Sequence, residues 1–215
     1  MSPGSRIQLV DSVNVIRQRI NKAIAEKVNA SLIKKRPTIT NKLQIMIKRW
    51  VSAQPEMIEL KTGGKGSLSS QLGLRAGTEN TITNKIIDTI ARSTHVDFKN
   101  VDSNLRKGGL ILKCQLESFS DLLSMPEGFI EDNSSVGNLH WLQWLLTEGH
   151  RVIVVGYRYE GVSGFGRSHG GVMSEGGSWR VPPQYAGVLG DNFVTRALSN
   201  REKDIEKLLV EELRL

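Results

Sequence analysis

A chain of 215 residues, 39% hydrophobic and 24% charged, is long enough to bury a full core and too apolar to be disordered throughout. Its single cysteine, Cys114, excludes an intrachain disulfide framework, Met1–Arg6 carries no apolar signal-peptide core, and no window approaches the roughly 20 apolar residues of a membrane span. The expectation is a chain made and folded in a cytosol, with a net charge of +7 that is unevenly spread: residues 1–50 hold eleven Lys and Arg against Asp11 and Glu26, a net +9, which leaves −2 for the remainder.

Ile7 to Leu32 reads as a helix, because Leu9, Val13, Ile16, Ile20, Ile24, Val28 and Leu32 recur every three or four residues while Lys and Arg fill the other face. Pro37 is expected to break the chain, with a second helix from Thr38 or Thr40 to about Ser52 that turns Ile39, Leu43, Ile47 and Trp50 to one side. Two such helices predict an αα-hairpin, or an arm that packs on something outside itself. Arg17, Arg19, Lys34, Lys35, Arg36, Lys48 and Arg49 make this arm basic. Such a charge block is consistent with contact to nucleic acid or another polyanion, with docking on an acidic face of a neighbouring subunit, or with a solvated helix face.

Residues 61–78 are dense in glycine and predict a flexible loop or turns, after which Ile82, Ile86 and Ile90 restore helical spacing up to Ser93. Leu110–Leu116 is rich in β-compatible residues and predicts a strand, and Phe119–Ile130 a short helix interrupted by Pro126. Trp141, Leu142, Leu145 and Leu146 predict a two-turn helix closed by Gly149, and Arg151–Tyr159 is the clearest strand. Residues 160–178 predict a long loop or a wide β-hairpin, Trp179–Val181 a further strand, and Phe193–Leu215 a helix capped by Asp191 and kinked at Ser199, where Glu202 completes a second capping box. Ile205, Leu208, Leu209 and Leu213 form its apolar face.

The chemical motifs are weak. Gly63-Gly64-Lys65-Gly66-Ser67 fails the phosphate-loop pattern because Gly66 follows the lysine and no buried strand precedes it. Gly166-Arg167-Ser168-His169-Gly170 matches a bare Gly-x-Ser-x-Gly string, yet a glycine-rich loop follows it where a helix is required. His95, His140, His150 and His169 are scattered, and Asp121, Glu127, Glu131 and Asp132 read as solvent-facing carboxylates with no paired acid and base. The expectation is no catalytic set, no metal site and no cofactor.

Aromatic residues and arginines concentrate instead in residues 139–193, and these are the types enriched at interface hot spots. Trp144 is expected in the core. Trp141, Tyr157, Tyr159, Phe165, Arg167, His169, Trp179, Arg180 and Tyr185 are the candidate subunit or partner contacts. The 160–178 segment has too little to bury alone and is expected to order against a neighbour.

The run Leu139–Gly149, the strand Val152–Tyr159, Gly166-Arg167-Ser168 leading to Gly171-Val172-Met173, Trp179–Pro182, Tyr185-Ala186-Gly187 and Asn192–Leu198 together resemble a neck or tail-completion protein of contractile-tailed phages. The resemblance covers about residues 105–215 and lies in the order of the pieces. It implies a ring around the DNA channel, in which Trp141–Gly149 frames a sheet, the 160–178 hairpin reaches a neighbouring subunit and the Asn192–Leu198 helix start packs on the sheet. The implied partners are other copies of the chain, six or twelve to the ring, and neighbouring neck, portal-adaptor, tail-tube or sheath proteins, with non-specific proximity to DNA and no membrane. The implied place is the virion, after assembly in a host cytoplasm. A basic nucleic-acid-binding protein is the alternative.

The fold class expected is α+β: a small antiparallel or mixed sheet flanked by helices, with an N-terminal helical arm and a long C-terminal helix. Three stretches follow: a basic helical arm over 1–60, a glycine-rich loop and helix over 61–104, and an α+β joining-protein-like core over 105–215.

Overall fold

The computed structural model describes residues 11–114, 119–130 and 139–213. It is an α+β fold in which helices dominate. One helix, α1 (Val13–Ser52), runs through it, about 60 Å long at 1.5 Å per residue. Its N-cap is Ser12, whose hydroxyl accepts from the Val15 amide at 3.4 Å; the expected earlier start at Ile7 lies outside the described residues.

Pro37 does not break this helix, so the αα-hairpin expected from it is absent. A proline inside a helix removes one hydrogen bond and crowds the carbonyl four residues back, at a cost of about 3 kcal/mol. Here Pro37 and Ile33 are both exposed, so the deprived carbonyl can hydrate. Leu32 before the proline is buried, and Ile39, Leu43, Ile47 and Val51 after it are buried in the core cluster. At roughly 1.5–3 kcal/mol for each buried side chain, the burial of α1 on both sides of the proline outweighs the local penalty.

Helices α2 (Pro55–Thr62), α3 (Leu68–Gln71) and α4 (Glu79–Arg92) follow. The isoleucine spacing in α4 is realised, with Ile86 and Ile90 buried and Ile82 packed at the core margin. Strands β1 (Thr94–Lys99) and β2 (Gly109–Cys114) pair antiparallel, Val96 opposite Leu112. The expected strand at Leu110 is β2; its last two expected residues, Gln115 and Leu116, lie outside the described residues. Its partner β1 was not anticipated, although Thr94, Val96 and Phe98 alternate as a half-buried strand requires. Helix α5 (Ser120–Leu123) and a 3₁₀ turn at Pro126–Gly128 lead to α6 (Trp141–Leu146). Strands β3 (Val154–Glu160) and β4 (Val172–Trp179) form the second antiparallel ribbon. Among the described residues the sheet content is two separate two-stranded ribbons.

The C-terminal helix is two helices, α7 (Phe193–Leu198) and α8 (Glu202–Leu213). Asn192, not Asp191, caps α7: its Oδ1 accepts from the Val194 and Thr195 amides at 3.0 and 3.1 Å, and Thr195 Oγ1 accepts from the Asn192 amide at 2.9 Å. Asn192 is fully buried, and its Nδ2 donates to the Leu146 and Val188 carbonyls, which ties α6 and the 188–191 turn to α7. The expected kink at Ser199 is a full break, since Asn200 adopts a left-handed φ of 59°. Ser199 does not cap α8, because its hydroxyl donates back to the Thr195 carbonyl at 2.7 Å.

A single buried cluster draws on α1, α2, α4, α6, α7 and α8 and on β1 and β4. Polar ties span it. Glu56, fully buried on α2, pairs with Arg196 on α7, which also donates to Asp191 at 2.7 Å. Burial pushes the Glu56 carboxyl above its ordinary range, with Arg196 opposing. Glu127, expected in solvent, is partly buried and paired with Lys85 of α4, whose ammonium holds its carboxyl below the usual value. Asp121 is exposed as expected, and Glu131 and Asp132 lie outside the described residues.

Candidate interaction surface

Two glycine-rich segments clasp each other beneath the β3–β4 ribbon. Ser67 caps α3, its Oγ accepting from the Ser70 amide at 3.2 Å and donating to the Gly64 carbonyl at 2.9 Å. Ser70 Oγ donates to that same carbonyl at 2.5 Å, and Ser67, Ser69 and Ser70 are all buried. The 161–171 loop lies against this turn: the Gly66 amide donates to the Gly170 carbonyl at 3.3 Å, and the Ala76 amide to the Arg167 carbonyl at 3.2 Å. Tyr159 Oη adds a bond to the Gly170 carbonyl at 2.9 Å. A Cβ on Gly170 would collide with Ser70 Oγ and the Gly64 carbonyl, so only glycine permits this approach.

Of the alternatives expected from composition, 61–78 takes the turns and 160–178 the wide β-hairpin, and neither is a free loop. In 61–78, Leu68, Leu72 and Leu74 enter the core and the serines cap a helical turn. In 160–178, the ribbon's own hydrogen bonds and the clasp order the chain without a neighbour. Inside the loop the His169 amide donates to the Gly166 carbonyl at 3.1 Å, and His169 itself holds a left-handed φ of 53°. Ser168 is buried and its Oγ accepts from the Gly170 amide at 3.3 Å; the string around it leads into strand β4 rather than a helix. Gly63–Gly66 follows helix α2, not a strand.

The candidate contact residues divide sharply. Trp141 and Trp179 are buried in the chain's own core, Trp141 Nε1 donating to the Glu127 carbonyl at 2.9 Å, so neither offers a side chain to a neighbour. Tyr159 and Tyr185 are half-buried against that core, as is Trp144, whose expected core role fits this position. Tyr157, Phe165, Arg167, His169 and Arg180 are exposed, Phe165 at 61%. Phe165 stands at the tip of a loop whose base is clasped. Val155, 81% exposed beside the Gly156 bulge, and Tyr157 are exposed on β3, and Val162 and Met173 are exposed toward the loop end of the ribbon. Val188 and Leu189 are a further exposed apolar pair. The sequence placed Val155 within the Arg151–Tyr159 strand; the glycine at 156, where the register shifts between Val155 and Tyr157, was the available signal of a bulge.

The basic arm divides as well. Lys35 lies 3.8 Å from Glu212 and Lys42 pairs with that same carboxylate, Arg36 lies 3.3 Å from Asp97, and Lys48 lies 2.6 Å from Asp88. Arg17, Lys22, Lys27, Lys34 and Arg49 have no carboxylate partner among the described residues, and Arg19 meets only Asp11, at 2.5 Å. Arg49 lines an open pocket of about 580 Å³ between α1 and α8, where Arg201 lies 5.0 Å above the Trp50 ring. A second pocket, of about 470 Å³, is lined by Arg75, Arg167, Pro126, Phe129 and Ile130.

His95, His140, His150 and His169 are all exposed, and His140 lies 5.4 Å from the Phe129 ring. Among the described residues no group of three or more His, Cys, Asp or Glu could hold a metal ion, and no helix is long and apolar enough to cross a membrane. Fold and surface together define an α+β protein with a projecting basic helix and an apolar ribbon tip. Compared with family models, with curated proteins and with solved structures, the chain matches none.

Proposed function

We propose that this chain is a structural protein of a tailed-phage particle that forms a homo-oligomeric ring at the neck or the head-proximal end of the tail, joining head and tail around the DNA channel. In this reading it has no catalytic role and needs no cofactor. Beside the resemblance over residues 105–215, the observation that carries the proposal is the set of exposed apolar and aromatic side chains along the β3–β4 hairpin, Val155 and Tyr157 on β3 and Phe165 in its loop. It is apolar, wet in the single chain, and mounted on a clasped hairpin. A pre-ordered apolar tip loses little conformational freedom on docking, which favours association. Head-to-tail contacts of such a tip with a different face of the next copy close into a ring when the rotation fits.

Sedimentation and native mass measurement of the purified chain test this. A ring of six or twelve copies is expected, and Tyr157→Ser with Phe165→Ser should dissolve it while leaving the melting temperature unchanged. A chain that stays monomeric at high concentration overturns the reading.

Arg17, Lys22 and Lys27, which have no carboxylate partner among the described residues, favour one alternative, a nucleic-acid-binding protein. Phosphate binding weakens steeply and log-linearly with salt, whereas a ring held by apolar contacts persists. Duplex DNA retained at low salt by a monomeric chain would favour the alternative.

A further inference from the structure

Helix α1 shows, within this chain, what it binds. Its C-terminal half carries α8 along its side: Arg201, just before α8, lies over Trp50, while Glu212 near the other end reaches Lys42 and Lys35, so the two helices run antiparallel. The seam is apolar, with Leu208 in the core and Ile205, Leu209 and Leu213 packed against it. Helix α8 is acidic, with Glu202, Asp204, Glu206, Glu211 and Glu212 against Lys203 and Lys207. The docking recipe is therefore an apolar row on α1, a lysine flank beside it, and an acidic amphipathic helix laid on both.

The same recipe continues toward the N-terminus, where among the described residues no helix or strand lies on Val13–Ile24. Ile16, Ile20, Ile24, Val28 and Leu32 repeat every four residues and form one ridge along the helix. Leu32 is buried, whereas Ile20 is 54% and Ile24 43% exposed, and Val13 beyond them is 65% exposed. Arg17, Lys22 and Lys27 stand on this segment without carboxylate partners among the described residues. Asn29, which accepts from the Val101 amide at 2.8 Å, is the most N-terminal α1 side chain to hydrogen-bond another described element.

We propose that Val13–Val28 of α1 docks an acidic amphipathic helix of a partner protein, in the manner in which the C-terminal half of α1 holds α8. The segment is about 24 Å long at 1.5 Å per residue, room for a helix of four turns. Helix-on-helix recognition reads apolar anchors at such spacings, and charge complementarity selects the partner. A second copy of α1 is disfavoured because pairing would oppose Arg17, Arg19, Lys22 and Lys27 to themselves, with only Asp11 and Glu26 to offset them. Nucleic acid would leave Ile20 and Ile24 in water. A lipid surface would call for Trp, Phe or Leu on the apolar face, and Val13–Val28 has none.

The inference stands apart from the ring reading, since a monomer docks such a helix equally well. A labelled synthetic peptide copying residues 201–213 is titrated with the full chain and read by fluorescence anisotropy. Saturable binding is expected, weakened about tenfold or more by Ile20→Ser with Ile24→Ser, and by a smaller factor by Arg17→Gln with Lys27→Gln. Both variants should keep the parent melting temperature, because the substituted side chains are exposed. A scrambled peptide of equal composition should not bind. No binding, binding that ignores the Ile20 and Ile24 substitutions, or equal binding of the scrambled peptide overturns the proposal. So does preferential engagement of the same residues by duplex DNA, by phosphatidylglycerol vesicles or by a second copy in sedimentation. The ring is read in the same sedimentation run without peptide, so failure of either idea leaves the other measurable.

Discussion

From Leu32 to Val51 helix α1 carries most of its buried residues and pairs Lys35, Arg36, Lys42 and Lys48 with carboxylates of its own chain, whereas from Val13 to Ile24 it shows isoleucines to solvent beside Arg17 and Lys22, which have no carboxylate partner among the described residues. The two halves have nearly the same composition: branched aliphatic residues at three- and four-residue spacing, with Lys and Arg between them. What differs is whether α4, α7, α8 and β1 are there to cover the stripe. An amphipathic pattern thus specifies a face that wants a partner, and the supply of partners inside the chain decides which half becomes core and which half stays available.

The largest effect belongs to the buried half of α1. Leu43→Ala should lower unfolding free energy by about 2–5 kcal/mol in urea titration, the usual cost of a core cavity. A loss below about 1 kcal/mol would mean that this half is not core. Next comes the proline between the two environments. Pro37→Ala restores an amide to the Ile33 carbonyl and should stabilise the chain by about 1–3 kcal/mol in the same titration. Unchanged or reduced stability would show that the proline sets a bend the packing needs.

The electrostatic seam of α1 with α8 predicts a pH signature. The hydrogen bond from Lys42, with the nearby charges of Lys42 and Lys35, holds the Glu212 carboxyl below its ordinary value of 4.5. Its contribution is therefore fully present above that value and is lost as pH falls from about 4.5 through the folded-state pKa. Glu212→Gln should lower Tm at pH 7 and flatten the acid loss of Tm below that point. Glu56 runs the other way: its raised carboxyl opposes folding at neutral pH, and that opposition fades on acidification as it protonates before its unfolded counterpart. Parallel acid slopes for the parent and Glu212→Gln would remove Glu212 from the account. The smallest effect belongs to the free half. Ile20→Ser should change stability by less than about 0.5 kcal/mol, as exposed positions usually do, and a larger loss would show that the stripe is already covered.

The hairpin repeats the lesson on a smaller scale. Strand β3, helix α6 and the α4 isoleucines were legible because period and residue type agreed locally. The exposed tip residues Tyr157 and Phe165 were also found, by residue type alone. Trp141 and Trp179 carried the same signal and yet fill the core, because a tryptophan's large apolar area suits a core and an interface equally. The clasp of Gly64–Ser70 with Gly161–Gly171 was not legible, since each segment reads as a loop until the other is beside it.

Sequence by itself determined the α+β class, the helical periods of α1, α4, α6 and α8, the unequal charge of arm and body, and the aromatic concentration after residue 139. Each of these depends on neighbours within a few residues, where dihedral preference and side-chain spacing act. Tertiary structure alone decided that Pro37 would be carried within one helix, that Asn192 and not Asp191 would cap α7, that the glycine-rich segments would interlock, and that the stripe on α1 would stop being core near Ala25. Those outcomes are set by the burial of side chains far apart in the chain, which releases more free energy than the local preferences it overrides.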